Sequence, residues 1–147
     1  MMRPPRKKTE GIFSKDTIRY SLLQGVSVLA AVLLVYFWAL GSGYSEQGTR
    51  TLAFVTIVTA NLGLILVNRS WKKTVVEMTR SPNRSLRVIF LGALFFLALV
   101  VFFPPLRDIF RFAPVSLPVL AAAGAIGFIS VLWFEAHKVW KRRDSPP

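Results

Sequence analysis

Few residues of this 147-residue chain could do chemistry, and their types narrow it quickly. The seven acidic residues, Glu10, Asp16, Glu46, Glu77, Asp108, Glu135 and Asp144, all lie outside the uncharged runs or at their ends. His137 is the only histidine and there is no cysteine. A histidine-rich or thiolate metal site, a disulfide framework and thiol redox chemistry are therefore excluded. No Gly-rich phosphate loop precedes a helix pattern, and no Ser/His/Asp set can be assembled. The polar residue set deepest in an apolar run is Asn61, in "RTLAFVTIVTANLGLILVNRSW". Its amide has two uses in an apolar medium. It can hydrogen-bond a neighbouring helix, worth ~0.6–2 kcal/mol in membranes. Alternatively, its carbonyl oxygen, a hard neutral ligand, can help coordinate a cation.

The elements that must position Asn61 are four blocks free of Asp, Glu, Lys and Arg: Leu22–Leu40, Thr51–Asn68, Val88–Phe103 and Val115–Phe134. Each has roughly the length of the 17–25 residues that a helix needs to cross a ~30 Å hydrocarbon core. The third is short by strict count, and Leu86 and the Pro104-Pro105-Leu106 end extend it. With 53% hydrophobic residues gathered into blocks rather than periodic stripes, the composition predicts an all-α integral membrane bundle of four transmembrane helices. The spans fall at about 21–41, 51–68, 86–105 and 115–134. They make up a membrane domain over 21–135, between a basic lead over 1–20 and a basic tail over 136–147. The first apolar run is too long for a typical signal-peptide core.

A net charge of +12 would suggest nucleic acid in a soluble chain, but here placement matters more than the sum. All but three of the 19 Lys and Arg residues lie before the first run, between the second and third, or after the fourth. The exceptions are Arg50, Arg107 and Arg111. The positive-inside rule then puts both termini and the middle loop in the cytoplasm, with all four spans agreeing. The expected surroundings are a lipid bilayer, in a multi-pass protein of the cell or plasma membrane, with no nucleic acid. Phe110 and Phe112, and the pair Trp133 and Trp140, are expected as interfacial anchors, with Trp71 at the headgroups. Ser14 is expected to cap the first helix.

Helical spacing sharpens the second run. With Asn61 at 0° and ~100° per residue, Asn68 falls about 20° away, while Thr56, Thr59 and Gly63 cluster between roughly 160° and 220°. Polar groups on opposed faces predict a helix enclosed by protein on both. Ser27-x-x-x-Ala31, Ala121-x-x-x-Ala125 and Ala123-x-x-x-Gly127 are generic signals of close backbone approach.

The order of these segments carries a resemblance. "MMRPPR", a short polar run and "SLLQG" resemble the loop before the seventh helix of cation-transporting P-type ATPases and the start of that helix. "RTLAFVTIVTANLGLILVNRS" resembles the eighth helix. "VVFFPPLRDIFRFAPVSLPVL" is similar to the end of the ninth, its Pro-Pro-Leu turn and the start of the tenth, and "LWFEAHKVWKRR" to the basic end of the tenth. The resemblance covers Met2 to Arg143. It implies a C-terminal membrane support domain of an ATP-driven cation translocase that works through an aspartyl-phosphate. In some members the eighth helix supplies one Glu or Gln ligand to the cation. Aligned on Arg50-Thr51 and Asn68, that position is Asn61, a shorter and uncharged residue.

The resemblance also implies what lies elsewhere. The Asp-Lys-Thr-Gly phosphorylation motif, the nucleotide-binding and actuator domains and the first six helices are not in this sequence. The chain is accordingly expected to be a fragment or separately encoded piece, with no catalytic residue and no cofactor of its own. Mg-ATP would be bound by the missing domains, and the expected partners are the remaining pump helices and a transported cation at Asn61. Two alternatives are a free-standing small four-helix transporter and a structural membrane subunit docking through its Thr56/Thr59/Gly63 face.

Overall fold

The computed structural model describes residues 15–69 and 84–143. These form five helices: α1 Lys15–Gly41, α2 Glu46–Arg69, α3 Arg84–Phe102, α4 Pro104–Ile109 and α5 Leu117–Arg143. The Ser14 cap, Trp71 and most of the middle loop lie outside the described residues, as do the side chains of Glu135, His137 and Trp140. Three stretches are long and apolar enough to cross a membrane: Ile18–Gly41, Glu46–Asn68 and Leu117–Phe134. The corresponding apolar stretch of α3, Arg87–Phe102, is shorter.

The second helix starts a full turn before its uncharged run. Ser45 caps it, its Oγ accepting the Gly48 N–H at 3.1 Å, and Glu46 sits in the first turn, where a carboxylate complements the helix dipole. The third stops earlier than its Pro-Pro end suggests. Phe103 has an extended backbone (φ −84°, ψ 113°), because the ring of Pro104 disfavours the helical region for the residue before it. Pro104 and Pro105 then open the separate helix α4, where a missing N–H does no harm.

Two helices end in the same way. After α1, the Tyr44 N–H reaches the Ala39 carbonyl (3.1 Å) and the Gly43 N–H the Leu40 carbonyl (3.2 Å), with Gly43 at φ +81°. After α4, the Phe112 N–H reaches Arg107 (2.9 Å) and the Arg111 N–H reaches Asp108 (3.1 Å), with Arg111 at φ +53°. Both are Schellman endings, which put one residue in the left-handed region. In one that residue is glycine; in the other an arginine bears the steric cost.

Packing is uneven along the bundle. At the loop end all four long helices meet: Val35 and Ala39 of α1, Leu52 and Val55 of α2, Leu97 and Val101 of α3, Leu120 and Ala123 of α5. Towards the other end α1, α2 and α5 close among the described residues, through Val28, Ala60 and Val131, with Val32 and Leu64 packed against them. There α3 stands away from the core, with Val88, Leu91, Phe95 and Phe96 exposed. Of the two loop-end phenylalanines expected as anchors, Phe112 departs from that role. Phe112 is 8% exposed and lies 5.1 Å, ring to ring, from Phe54, while the 42%-exposed Phe110 stacks on Phe112 at 5.6 Å. The turn that Arg111 makes folds Phe112 inward, so it seals the core instead of facing headgroups.

Replacing Arg111 with glycine removes the left-handed penalty, so R111G should raise stability by about 1 kcal/mol. Thermal unfolding in detergent measures this; an unchanged or lower midpoint would contradict it.

Candidate functional site

The helix that carries Asn61 is the best-packed of the bundle, and its two faces meet different surroundings. On the Thr56 face it lies against α5 along most of its length. Thr56 Oγ1, fully buried, is 2.8 Å from the Leu52 carbonyl one turn back and 3.3 Å from the Ala123 carbonyl of α5. Thr59 Oγ1 likewise donates within α2, to Val55 at 2.8 Å. Both hydroxyls are thus satisfied in an apolar core, where an unmet one is costly. Near the loop end, Thr51 Oγ1 lies 2.8 Å from the Gln47 carbonyl and accepts the Ala113 N–H at 3.2 Å, tying the segment before α5 to α2.

Glycines set how closely these helices approach. A methyl on Gly127 would overlap the Thr56 carbonyl oxygen and come within 2.5 Å of Thr59 Oγ1. A methyl on Gly63 would overlap a Val131 methyl and touch the Phe128 ring at 3.4 Å. Of the small-residue pairs in the sequence, Ala123 and Gly127 form this contact, whereas Ala121 and Ala125 are exposed. The Thr56/Thr59/Gly63 face, which could have served as a docking surface for another protein, is occupied by α5.

The opposite face is open within this chain. Arg50, Ile57, Asn61, Ile65 and Asn68 form one exposed stripe down α2. Asn61 therefore makes no side-chain hydrogen bond among the described residues. The expected enclosure on two faces holds on the Thr56 side and not on the Asn61 side, because the helices that could cover it, α1 and α5, pack elsewhere on α2. Two turns on, ~10.5 Å along the axis, Asn68 is held: its Oδ1 accepts from Nε2 of Gln24 of α1 at 2.9 Å. Gln24 is only 7% exposed. This bond and the Gly127 contact are what reading the sequence missed as particular partners. The signal for Gln24 was the same as for Asn61, a lone amide in an apolar run. A second link joins α1 to α5: Trp133 Nε1–H donates to Ser27 Oγ at 3.2 Å, and Ser27 donates to the Leu23 carbonyl at 2.9 Å. No three of His, Cys, Asp and Glu gather among the described residues.

Three helices long and apolar enough to cross a membrane, their backbone groups paired within each helix, define a multi-pass membrane protein. A family model described as "Cation transporting ATPase, C-terminus" matches residues 1–140, and the chain belongs to that family. It is similar to the human calcium-transporting ATPase type 2C member 1, 26% identical over 143 residues. That match takes in 97% of this chain and 16% of the relative. Calcium-transporting ATPase 1 of Schizosaccharomyces pombe is 27% identical over 146 residues, again 97% and 16%. A calcium-transporting ATPase of Bacillus subtilis is 30% identical over 117 residues, 76% of this chain and 12% of the relative. The chain thus matches about a sixth of the length of the first two relatives and about an eighth of the third, at the C-terminal part of these calcium-transporting ATPases.

If the Gln24–Asn68 hydrogen bond between α1 and α2 stabilises the bundle, Gln24→Leu and Asn68→Leu should each cost roughly 0.5–1.5 kcal/mol. Their double variant should cost less than the sum. A double-mutant cycle on unfolding in detergent measures the coupling, and purely additive losses would show that the bond contributes nothing.

Proposed function

We propose that this chain acts as the C-terminal membrane support domain of a P-type cation-transporting ATPase, presenting Asn61 to helices that carry the rest of a cation path. The observation that carries the reading is the open stripe on α2. The chain's most enclosed helix turns a bare amide outward at the middle of its apolar run, with no partner in the described residues. An amide facing hydrocarbon is unfavourable, so the stripe calls for a protein neighbour or a bound ion. The relatives' names speak of calcium transport, which makes calcium the first cation to test. Asn61 supplies a neutral oxygen where a carboxylate would add charge, so its contribution is to orient and partly dehydrate the ion while other groups balance the charge.

In an assembled pump containing this chain, Asn61→Leu should weaken apparent calcium affinity about tenfold, the equivalent of ~1.4 kcal/mol. Asn61→Gln, which keeps the carbonyl, should retain most of it. Equal affinities for wild type and Asn61→Leu in calcium-dependent ATPase titrations would remove Asn61 from the path.

In this reading α3 makes a fourth crossing. Its 19 residues span ~28 Å, close to the hydrocarbon thickness. Both termini then lie in the cytoplasm, on the side of the basic segments. The chain by itself neither hydrolyses ATP nor moves cations. In cells, single cysteines placed in this cysteine-free chain test the orientation. One at Ser45 should react with an impermeant maleimide from outside, and one at Ser145 only after permeabilisation. ATP-driven calcium uptake by liposomes holding the purified chain alone would refute the assignment of a support role.

A further inference from the structure

The glycines of the α2–α5 contact differ sharply in what surrounds them. At Gly127 an added methyl meets the backbone carbonyl of Thr56, which cannot move without moving α2 itself. At Gly63 it meets a methyl of Val131, a side chain of α5. At Gly124 the approach is an ordinary contact, 3.4 Å from the Thr59 methyl, and at Gly25 and Gly92 there is nothing within 4 Å. Gly127 therefore brings α5 against the α2 backbone, and Gly63 makes room beside it for the Val131 methyl, so the two seat one face of α2 on α5. On a helix, that face and the Asn61 stripe are rigidly linked, about half a turn apart.

We infer that Gly127 and Gly63 are positioning residues for Asn61: by seating α5 on the Thr56–Gly63 face they set the rotation of α2 about its axis, and so the direction in which Asn61 points. This rests on the reading above only in treating that direction as functional. Enlarging Gly127 pushes on the α2 backbone, and the relief open to a helix held at its loop end by Thr51 and Phe54 is rotation or displacement along the rest of its length. Bulk at Gly25 or Gly92 has no such effect.

The chain without cysteine allows the rotation to be read directly. Single spin labels at Ile57, Val58, Asn61, Leu64, Ile65 and Asn68, in lipid bilayers, should show oxygen accessibility peaking on 57, 61, 65 and 68. Gly127→Val should shift that maximum towards Val58 or towards Leu64, the labels ~60° to either side of Asn61 on the wheel, with accessibility falling on the opposite side. Gly25→Val and Gly92→Val should leave it in place. A uniform rise at every position would mean loosened packing without rotation and would overturn the proposal, as would an unmoved maximum in a folded Gly127→Val. Should Gly127→Val fail to fold, Gly63→Ala serves: it should shift the maximum, and adding Val131→Ala, which removes the opposing methyl, should return it. No return would equally sink the idea. These readouts need no cation, so they fail independently of the calcium titration of Asn61.

Discussion

The approach of Gly127 to the Thr56 carbonyl is the contact on which the rest of the bundle depends. In hydrocarbon there is no water to expel between helices, so association rests on close packing and on polar groups satisfied between or within helices. Glycine at 127 and alanine at 123 bring the backbone of α5 close enough for Thr56 to lie near the Ala123 carbonyl while bonding its own helix. With α5 fixed on that side, α1 takes the adjoining side through Val28, Val35 and the Gln24–Asn68 bond. What remains of the circumference of α2 is the stripe with Asn61, which Gln24 of α1 reaches at its Asn68 end.

The two ends of the bundle are built differently. At the loop end, two Schellman endings, the Ser45 cap, the Thr51 tie and the Phe54–Phe110–Phe112 cluster hold short connections tightly over a core shared by four helices. At the other end α3 leaves the core, and among the described residues α1, α2 and α5 close. The end that is closed by this chain is rigid by its own contacts. The stripe and the free length of α3 are apolar surface with isolated polar groups, suited to lipid and to further helices.

Much of this was legible beforehand. Block lengths located the helices, and the opposed polar faces of α2 followed from spacing around Asn61. The early start of α2 is signalled by Ser45-Glu46, a cap and an acid, while run length alone starts the helix later because Arg50 breaks the uncharged run. The inward turn of Phe112 was not legible, because it hangs on Arg111 adopting a left-handed backbone that nothing local favours in an arginine. The same holds for the Gln24–Asn68 bond: two amides 44 residues apart have no spacing that links them.

By itself the sequence determined that the chain is helical and membrane-embedded, and that a neutral amide lies in the middle of its second apolar run, because those follow from residue type, run length and period. Which face of α2 is covered, and by which helix, was decided only by tertiary structure. Thr56 and Asn61 are equally polar on a wheel. The choice between them depends on where Gly127, more than sixty residues away, lets another backbone come close.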